Sequence, residues 1–134
     1  MSSLFDLLGE NVNGDLFVSF TKALDTAAVV QFEEDIGMYW DSLEAGVEMW
    51  IDPESGCVTT IYLYSGKKGG HQAYAGELPF GITFSDVRDE VIRKIGEVPH
   101  HRGDLFDSWD YSHGRLVVRY GEDGVLTRVA VTKI

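Results

Sequence analysis

The sequence predicts a single α+β domain, an antiparallel sheet with helices on one face, made of two tandem helix–β-hairpin repeats. Three observations predict this class: 134 residues with 44% apolar content, one strong amphipathic helix signal, and hairpin signals that recur along the chain. We expect one domain over 1–134, with repeat one at about 1–65 and repeat two at about 85–134. A glycine-rich loop and an edge strand over 66–84 would join them.

The hairpin signal is clearest near the C-terminus. Residues 114–120 alternate in polarity and lead through Asp123-Gly124 into a second apolar run at 125–131. Asp-Gly between two such runs is typical of a tight hairpin turn.

A similar hairpin stands 68 positions earlier, where 46–51 leads through 52–56 into 58–63. The glycines, a glutamate and a threonine match without a gap, and a Trp-Asp pair precedes each hairpin. Strand alternation directs two sets of side chains to opposite faces of the first strand. One set is Val47, Met49 and Ile51; the other is Glu48, Trp50 and Asp52.

The helix of repeat two is predicted from Ser85 to Gly96. Ser85 is expected as the N-cap, Val87, Val91 and Ile95 recur at four-residue spacing, and Gly96 favours the C-terminal stop. In repeat one, a shorter helix would cover Leu4 to Leu8. An insertion would add another from about Leu16 to Leu24, with Phe17, Phe20 and Leu24 on one side.

The connection between the repeats combines two signals. Gly66-Lys67-Lys68-Gly69-Gly70 is typical of an exposed loop. Residues 74–84 contain proline and glycine breaks that favour a short edge strand leading into the Ser85 helix.

The charge is segregated along the chain. Residues 1–64 contain twelve acids and one base, whereas residues 65–134 contain ten of each, so the net charge of −11 belongs to the first half. Such a field repels nucleic acid and anionic membrane, and it attracts a basic protein. The alternative is an ordinary solvated acidic surface.

No residue pattern indicates catalysis, a cofactor or a metal. Cys57 is the only cysteine, and none of the four histidines has a second ligand at helical spacing. The acids of the 104–110 run are expected to cap or to face water, because the run lacks the glycine and terminal glutamate of a calcium loop. A paired-carboxylate hydrolase using Asp107 or Asp110 remains an alternative.

The cellular compartment is predicted from the lack of two signals, one for secretion and one for membrane insertion. The N-terminus has no basic stretch followed by an apolar run, and nowhere do about 18 uncharged apolar residues run together. We therefore expect a soluble cytoplasmic protein that binds neither membrane nor nucleic acid.

Several motifs along the chain resemble those of a known family. They are Leu7-Leu8-Gly9, Tyr74-x-Gly76-x-Leu78-Pro79-Phe80-Gly81-Ile82-x-Phe84-Ser85, Glu90-Val91, Ile95-Gly96-Glu97-x-Pro99, Trp109-Asp110-Tyr111 and the Asp123-Gly124 turn. Together they resemble bacterial polymorphic-toxin immunity proteins, including those of contact-dependent inhibition. The duplicated unit is also similar to β-lactamase inhibitory proteins and to BamE-type outer-membrane assembly lipoproteins. The resemblance implies a non-enzymatic inhibitor whose partner is a toxin.

The resulting hypothesis is an immunity protein that neutralises a cognate toxin, a basic nuclease, by stoichiometric binding. Trp50 would be either an exposed anchor or a core residue. The alternative is a structural or assembly module that associates with itself through a sheet edge. The predicted contact residues are Glu33, Glu34, Asp35, Asp41, Glu44, Glu48, Trp50, Asp52 and Glu54.

Overall fold

A computed structural model of the chain describes residues 4–24, 28–33, 37–67 and 70–134. Among these residues the chain forms eight strands of one antiparallel sheet, two α-helices and two 3-10 helices. The strands are β1 (Val29–Glu33), β2 (Gly37–Ser42), β3 (Val47–Ile51), β4 (Val58–Tyr64), β5 (His101–Arg102), β6 (Phe106–Tyr111), β7 (Gly114–Tyr120) and β8 (Leu126–Thr132). The helices are α1 (Asp15–Leu24), α2 (Arg88–Ile95) and the 3-10 helices Leu4–Leu7 and Pro79–Gly81. The predicted α+β class with an antiparallel sheet is confirmed.

The strand order is β1-β2-β3-β4-β8-β7-β6-β5. The strands β1–β4 therefore form one half of the sheet and β5–β8 form the other. The halves meet where β4 pairs with β8, with Tyr62 opposite Ala130. At this junction the hydroxyls of Thr60 and Thr132 lie 2.7 Å apart and hydrogen-bond across the strands.

One face of the sheet carries the core, as strand alternation predicts. Val47 and Met49 on β3 are fully buried and Ile51 is nearly so, and the same alternation is seen along β7, where Leu116 and Val118 are buried. Buried side chains of both helices, including Phe17 and Val91, belong to the same hydrophobic cluster. The apolar stripe of each helix thus packs on the inner face of the sheet.

The helix predicted from about Leu16 to Leu24 is confirmed as α1, with Phe17 buried and Phe20 and Leu24 packed against the core. The shorter helix before it is a 3-10 helix, Leu4–Leu7, followed by Gly9 in a left-handed conformation at φ 85°.

The helix of the second half ends as predicted, but it begins later. Gly96 is its left-handed C-cap at φ 86°. Ser85 is not the N-cap, because Asp86 still pairs its carbonyl with the Leu126 amide and the chain remains extended through Val87. Glu90 instead accepts a hydrogen bond from the Val87 amide at 3.2 Å, which satisfies one of the free donors of the first turn.

The edge strand predicted within 66–84 is wrong for the described part of that segment, which contains no strand. Pro79 lacks an amide donor, and Phe80 and Gly81 adopt positive φ angles of 61° and 72°, so the backbone there cannot follow a pleated ladder. The outer strands of the sheet are β1 and the two-residue β5.

Within the described residues, no helix is both long enough and apolar enough to pass through a membrane.

Candidate functional site

The outer face of β2, β3 and β4 brings together aromatic and acidic side chains. Antiparallel pairing places Tyr39 opposite Trp50 and Asp41 opposite Glu48. All four are partly exposed, as are Tyr62 and Tyr64 on the same face of β4. Because the helices pack on the opposite face, this side of the sheet stays accessible. We call the six residues Tyr39, Asp41, Glu48, Trp50, Tyr62 and Tyr64 the outer patch.

Glu48 occupies the middle of the outer patch. Its Oε2 accepts a 2.7 Å hydrogen bond from Trp50 Nε1, and its Oε1 lies 3.5 Å from the Tyr64 hydroxyl. Partial burial, together with the negative charge of Glu48, raises the pKa of Tyr64 to about 12. The Tyr64 hydroxyl therefore stays protonated and available as a donor at neutral pH.

His71 joins the outer patch from the loop after β4. Its ring stacks on Tyr64 with centroids 4.0 Å apart and an interplanar angle of 10°. Its Nε2 lies 2.6 Å from Asp41 Oδ1, and only 8% of the side chain is exposed. The loop is held by backbone hydrogen bonds from the Gln72 amide to Leu43 and from the Tyr74 amide to Tyr64.

Gly46 permits this docking of the loop. It has a φ of 69°, and a Cβ at this position would collide with the backbone carbonyl of Gln72. Glycine is required there both for the left-handed conformation and for the close approach of the 72–74 backbone.

Donor atoms of Asp41, Glu48 and His71 all lie within 4.8 Å of one another. They come from β2, β3 and the loop after β4. One imidazole nitrogen and two carboxylates are groups that can bind a cation, a basic side chain or a proton.

The predicted contact residues divide into three groups. Asp41, Glu48 and Trp50 meet on the outer patch. Exposed Glu44 lies in the β2–β3 turn, whereas Asp52 and exposed Glu54 lie beyond the other end of β3. These turns are separated by the length of a five-residue strand, roughly 13 Å. Glu33 is on β1, and Glu34 and Asp35 lie outside the described residues.

Trp50 is half-buried, between the two possibilities left open by the sequence. One side of its ring faces Tyr39 at a centroid distance of 5.7 Å, and its Nε1 is engaged by Glu48. The indole is therefore held in place on the sheet while part of it remains accessible, as expected of a rigid aromatic contact residue.

Sequence reasoning missed the contribution of His71 and Tyr64. Tyr62 and Tyr64 are two residues apart on β4, so alternation places both on one face of the strand. Tyr62 lies opposite Glu48, which makes this the face of the outer patch. His71 leaves no comparable signal, since a loop residue 30 positions from Asp41 has no periodicity to align it.

A second charged cluster lies on the other half of the sheet, and its central carboxylate is buried away from solvent. Asp107 is fully buried and binds Arg88 at 2.7 and 2.9 Å, Arg102 at 3.0 Å and the Tyr120 hydroxyl at 3.1 Å. Burial raises the pKa of this carboxyl, but the hydrogen bonds from Arg88 and Tyr120 outweigh burial and hold the pKa below its usual value. The expectation of a wet or capping acid is therefore wrong for Asp107.

Asp110, which lies nearer the surface, is also paired with basic side chains. It binds Arg115 and His101, and these hydrogen bonds lower its pKa to about 2. Both acids of the 107–110 run are thus engaged with neighbouring bases, and they face different sides of β6.

Comparison of the chain with protein-family models, with curated proteins and with solved structures finds no match.

Proposed function

We propose that this protein is an immunity protein that binds and neutralises a cognate toxin, a basic nuclease-like protein, through the outer patch. The main support is the convergence of Trp50, Asp41 and Glu48 on the sheet face opposite the helices, where all three are partly exposed. The proposal assigns the protein no catalytic step and places it in the cytoplasm, where a toxin would act.

The distribution of ion pairs supports a basic partner. Among the described residues, the ion pairs lie within 86–115, apart from the one between His71 and Asp41. Arg88, Arg102, Lys94 and Arg115 are therefore engaged by acids of their own half. Residues 29–64 contain eight acids and no lysine or arginine, and their described part forms β1–β4, so this half of the sheet carries a strong negative charge.

The exposed acids of the turns and the residues of the outer patch would have different roles in binding the toxin. Exposed acids such as Glu44 and Glu54 would accelerate encounter with a positively charged surface, because long-range attraction mainly changes the association rate. Trp50, being rigid and partly exposed, would prolong the complex. Asp41 and Glu48 would take the place of substrate phosphates in a nuclease site.

The test is binding to the C-terminal domain of a secreted protein encoded beside this chain, measured by surface plasmon resonance at several salt concentrations. We expect a 1:1 complex and loss of toxin activity. The double variant E44K/E54K should associate more slowly with a flatter salt dependence, and Trp50→Ala should dissociate faster.

Glu122→Lys is the matched control for the charge reversals. Glu122 is an exposed acid of the β7–β8 turn, on the other half of the sheet. Association rates that fall equally in E122K and in the single variant Glu44→Lys would show that only total charge matters. That result would remove the support for steering by the acids of the β1–β4 half.

A second candidate is a structural module that associates with itself. It is favoured by β1, which forms an edge of the sheet and exposes 58% of Val30. Sedimentation velocity over a hundredfold range of concentration tests this candidate, since a strict monomer excludes it.

We also propose that the two halves are repeats of one helix–hairpin unit. The strand order is symmetric about the β4–β8 junction. In addition, both hairpins contain a register shift near the end of their first strand, between Trp50 and Ile51 and between Arg119 and Tyr120, which is one position apart in the 68-residue alignment. The two Trp-Asp pairs do not coincide in the 68-residue alignment, in which Met49 corresponds to Val117. Trp40 lies opposite Met49 across the strands, whereas Trp109 lies opposite Leu116, one position earlier.

A further inference from the structure

We propose that Asp41, Glu48 and His71 form a binding site for a divalent transition metal ion of the zinc type. Their donor atoms converge within 4.8 Å of one another from three separate segments. The inference does not rest on the proposed function, although both use Asp41 and Glu48, because it is tested on the protein and an ion alone.

The donor set fits zinc chemistry. Zinc binds histidine nitrogen and carboxylate oxygen at about 2.0–2.2 Å, and sites with three protein ligands leave one position open. A tetrahedral ion at these bond lengths separates its ligands by roughly 3.3 Å. The 2.6 Å contact between His71 and Asp41 would therefore open slightly to admit the ion.

The groups around the three ligands hold them in orientation. Trp50 Nε1 fixes Glu48 Oε2, and the ring of Tyr64 supports the His71 imidazole by stacking. Outer-shell partners of this kind set ligand direction and increase metal affinity. The backbone hydrogen bonds of Gln72 and Tyr74 limit the freedom of the loop that carries His71.

The local charge favours a cation. Two carboxylates approach each other here, and within the described chain no lysine or arginine lies at ion-pair distance from Asp41 or Glu48, because the nearby Arg128 stacks on the ring of Tyr62 instead. His71 is the nearest basic group, and its ring is directed at the acids while 92% of the side chain is shielded. An inserted ion would neutralise both acids and accept the lone pair of the neutral imidazole.

The test is calorimetric titration of Zn²⁺ into chelator-treated protein at neutral pH. We expect one ion per chain, with affinity reduced at least tenfold in His71→Ala and in Glu48→Gln. His101→Ala is the matched control, because His101 is an exposed histidine that also pairs with an aspartate, Asp110. It should bind Zn²⁺ as the wild type does.

A second measurement localises the ion. Co²⁺ at saturating concentration should quench the fluorescence of Trp50, which contacts the proposed ligand Glu48, and Trp50→Phe should abolish most of that quenching. The same substitution should also weaken Zn²⁺ binding without abolishing it, because it removes the hydrogen bond that orients Glu48. Absence of 1:1 binding, or equal Zn²⁺ affinity in His71→Ala and His101→Ala, would overturn the proposal. In that case the His71–Asp41 contact only holds the loop on the sheet.

Discussion

Asp107 gives the sharpest test of how this fold is stabilised. Its carboxylate is fully buried and accepts hydrogen bonds from two arginines and a tyrosine. Asp107→Asn keeps the shape of the side chain but removes its charge. Arg88 and Arg102 then face a neutral amide whose NH₂ group cannot accept a hydrogen bond.

The expected loss in the free energy of unfolding is about 3 kcal/mol, the lower end of the cost of breaking a buried ion pair. The lower end of that range applies because the two arginines that bind Asp107 are partly exposed to water. The Arg88 side chain is 27% exposed and that of Arg102 is 51% exposed, so both can recover hydration.

The loss should also depend on pH. A carboxyl whose pKa is lower in the folded than in the unfolded chain stabilises the fold above the unfolded value of about 3.9. This contribution disappears as the pH falls through the folded pKa of Asp107, which is held below its usual range. The wild type and Asp107→Asn should therefore differ most at neutral pH and converge below about pH 4.

Urea denaturation at pH 7 and at pH 3, followed by tryptophan fluorescence, measures both effects. Asp104→Asn is the control, since Asp104 is exposed and lies only three residues away; it should change stability by no more than about 0.5 kcal/mol. A loss in Asp107→Asn no greater than that of the control, or one of equal size at both pH values, would refute the reasoning.

Two further predictions concern the sheet. Met49→Ala, in the fully buried core face of β3, should lower the free energy of unfolding by about 2–5 kcal/mol, whereas Glu48→Ala on the outer face should cost much less in the same urea assay. Gly46→Ala should lower the melting temperature more than Gly124→Ala. Both glycines have positive φ, but only at Gly46 does an added Cβ meet backbone, that of Gln72, whereas at Gly124 no atom lies within 4 Å. Equal shifts in calorimetry would show that the loop is not docked as described.

The candidate site was predicted only in part. Alternation along β3 placed Glu48 and Trp50 on one face, and the antiparallel register then added Asp41 from β2. The turn acids were expected beside them, but Glu44 and Glu54 lie at opposite ends of β3. Charge counted along a sequence does not distinguish the two ends of a strand, which the geometry of the strand separates.

The sequence by itself determined the features that depend on near neighbours. Both hairpins follow from two-residue alternation and turn residues, α1 from its apolar stripe, and the end of α2 from Gly96. These signals are local, because backbone conformation and side-chain direction repeat within a few residues.

Only the tertiary structure decided which distant groups meet. It pairs β4 with β8, buries Asp107 between Arg88 and Arg102, and brings His71 onto Asp41. A contact between residues far apart in the chain depends on loop paths and on packing across the whole sheet, and neither is recorded in the local alternation of polar and apolar residues.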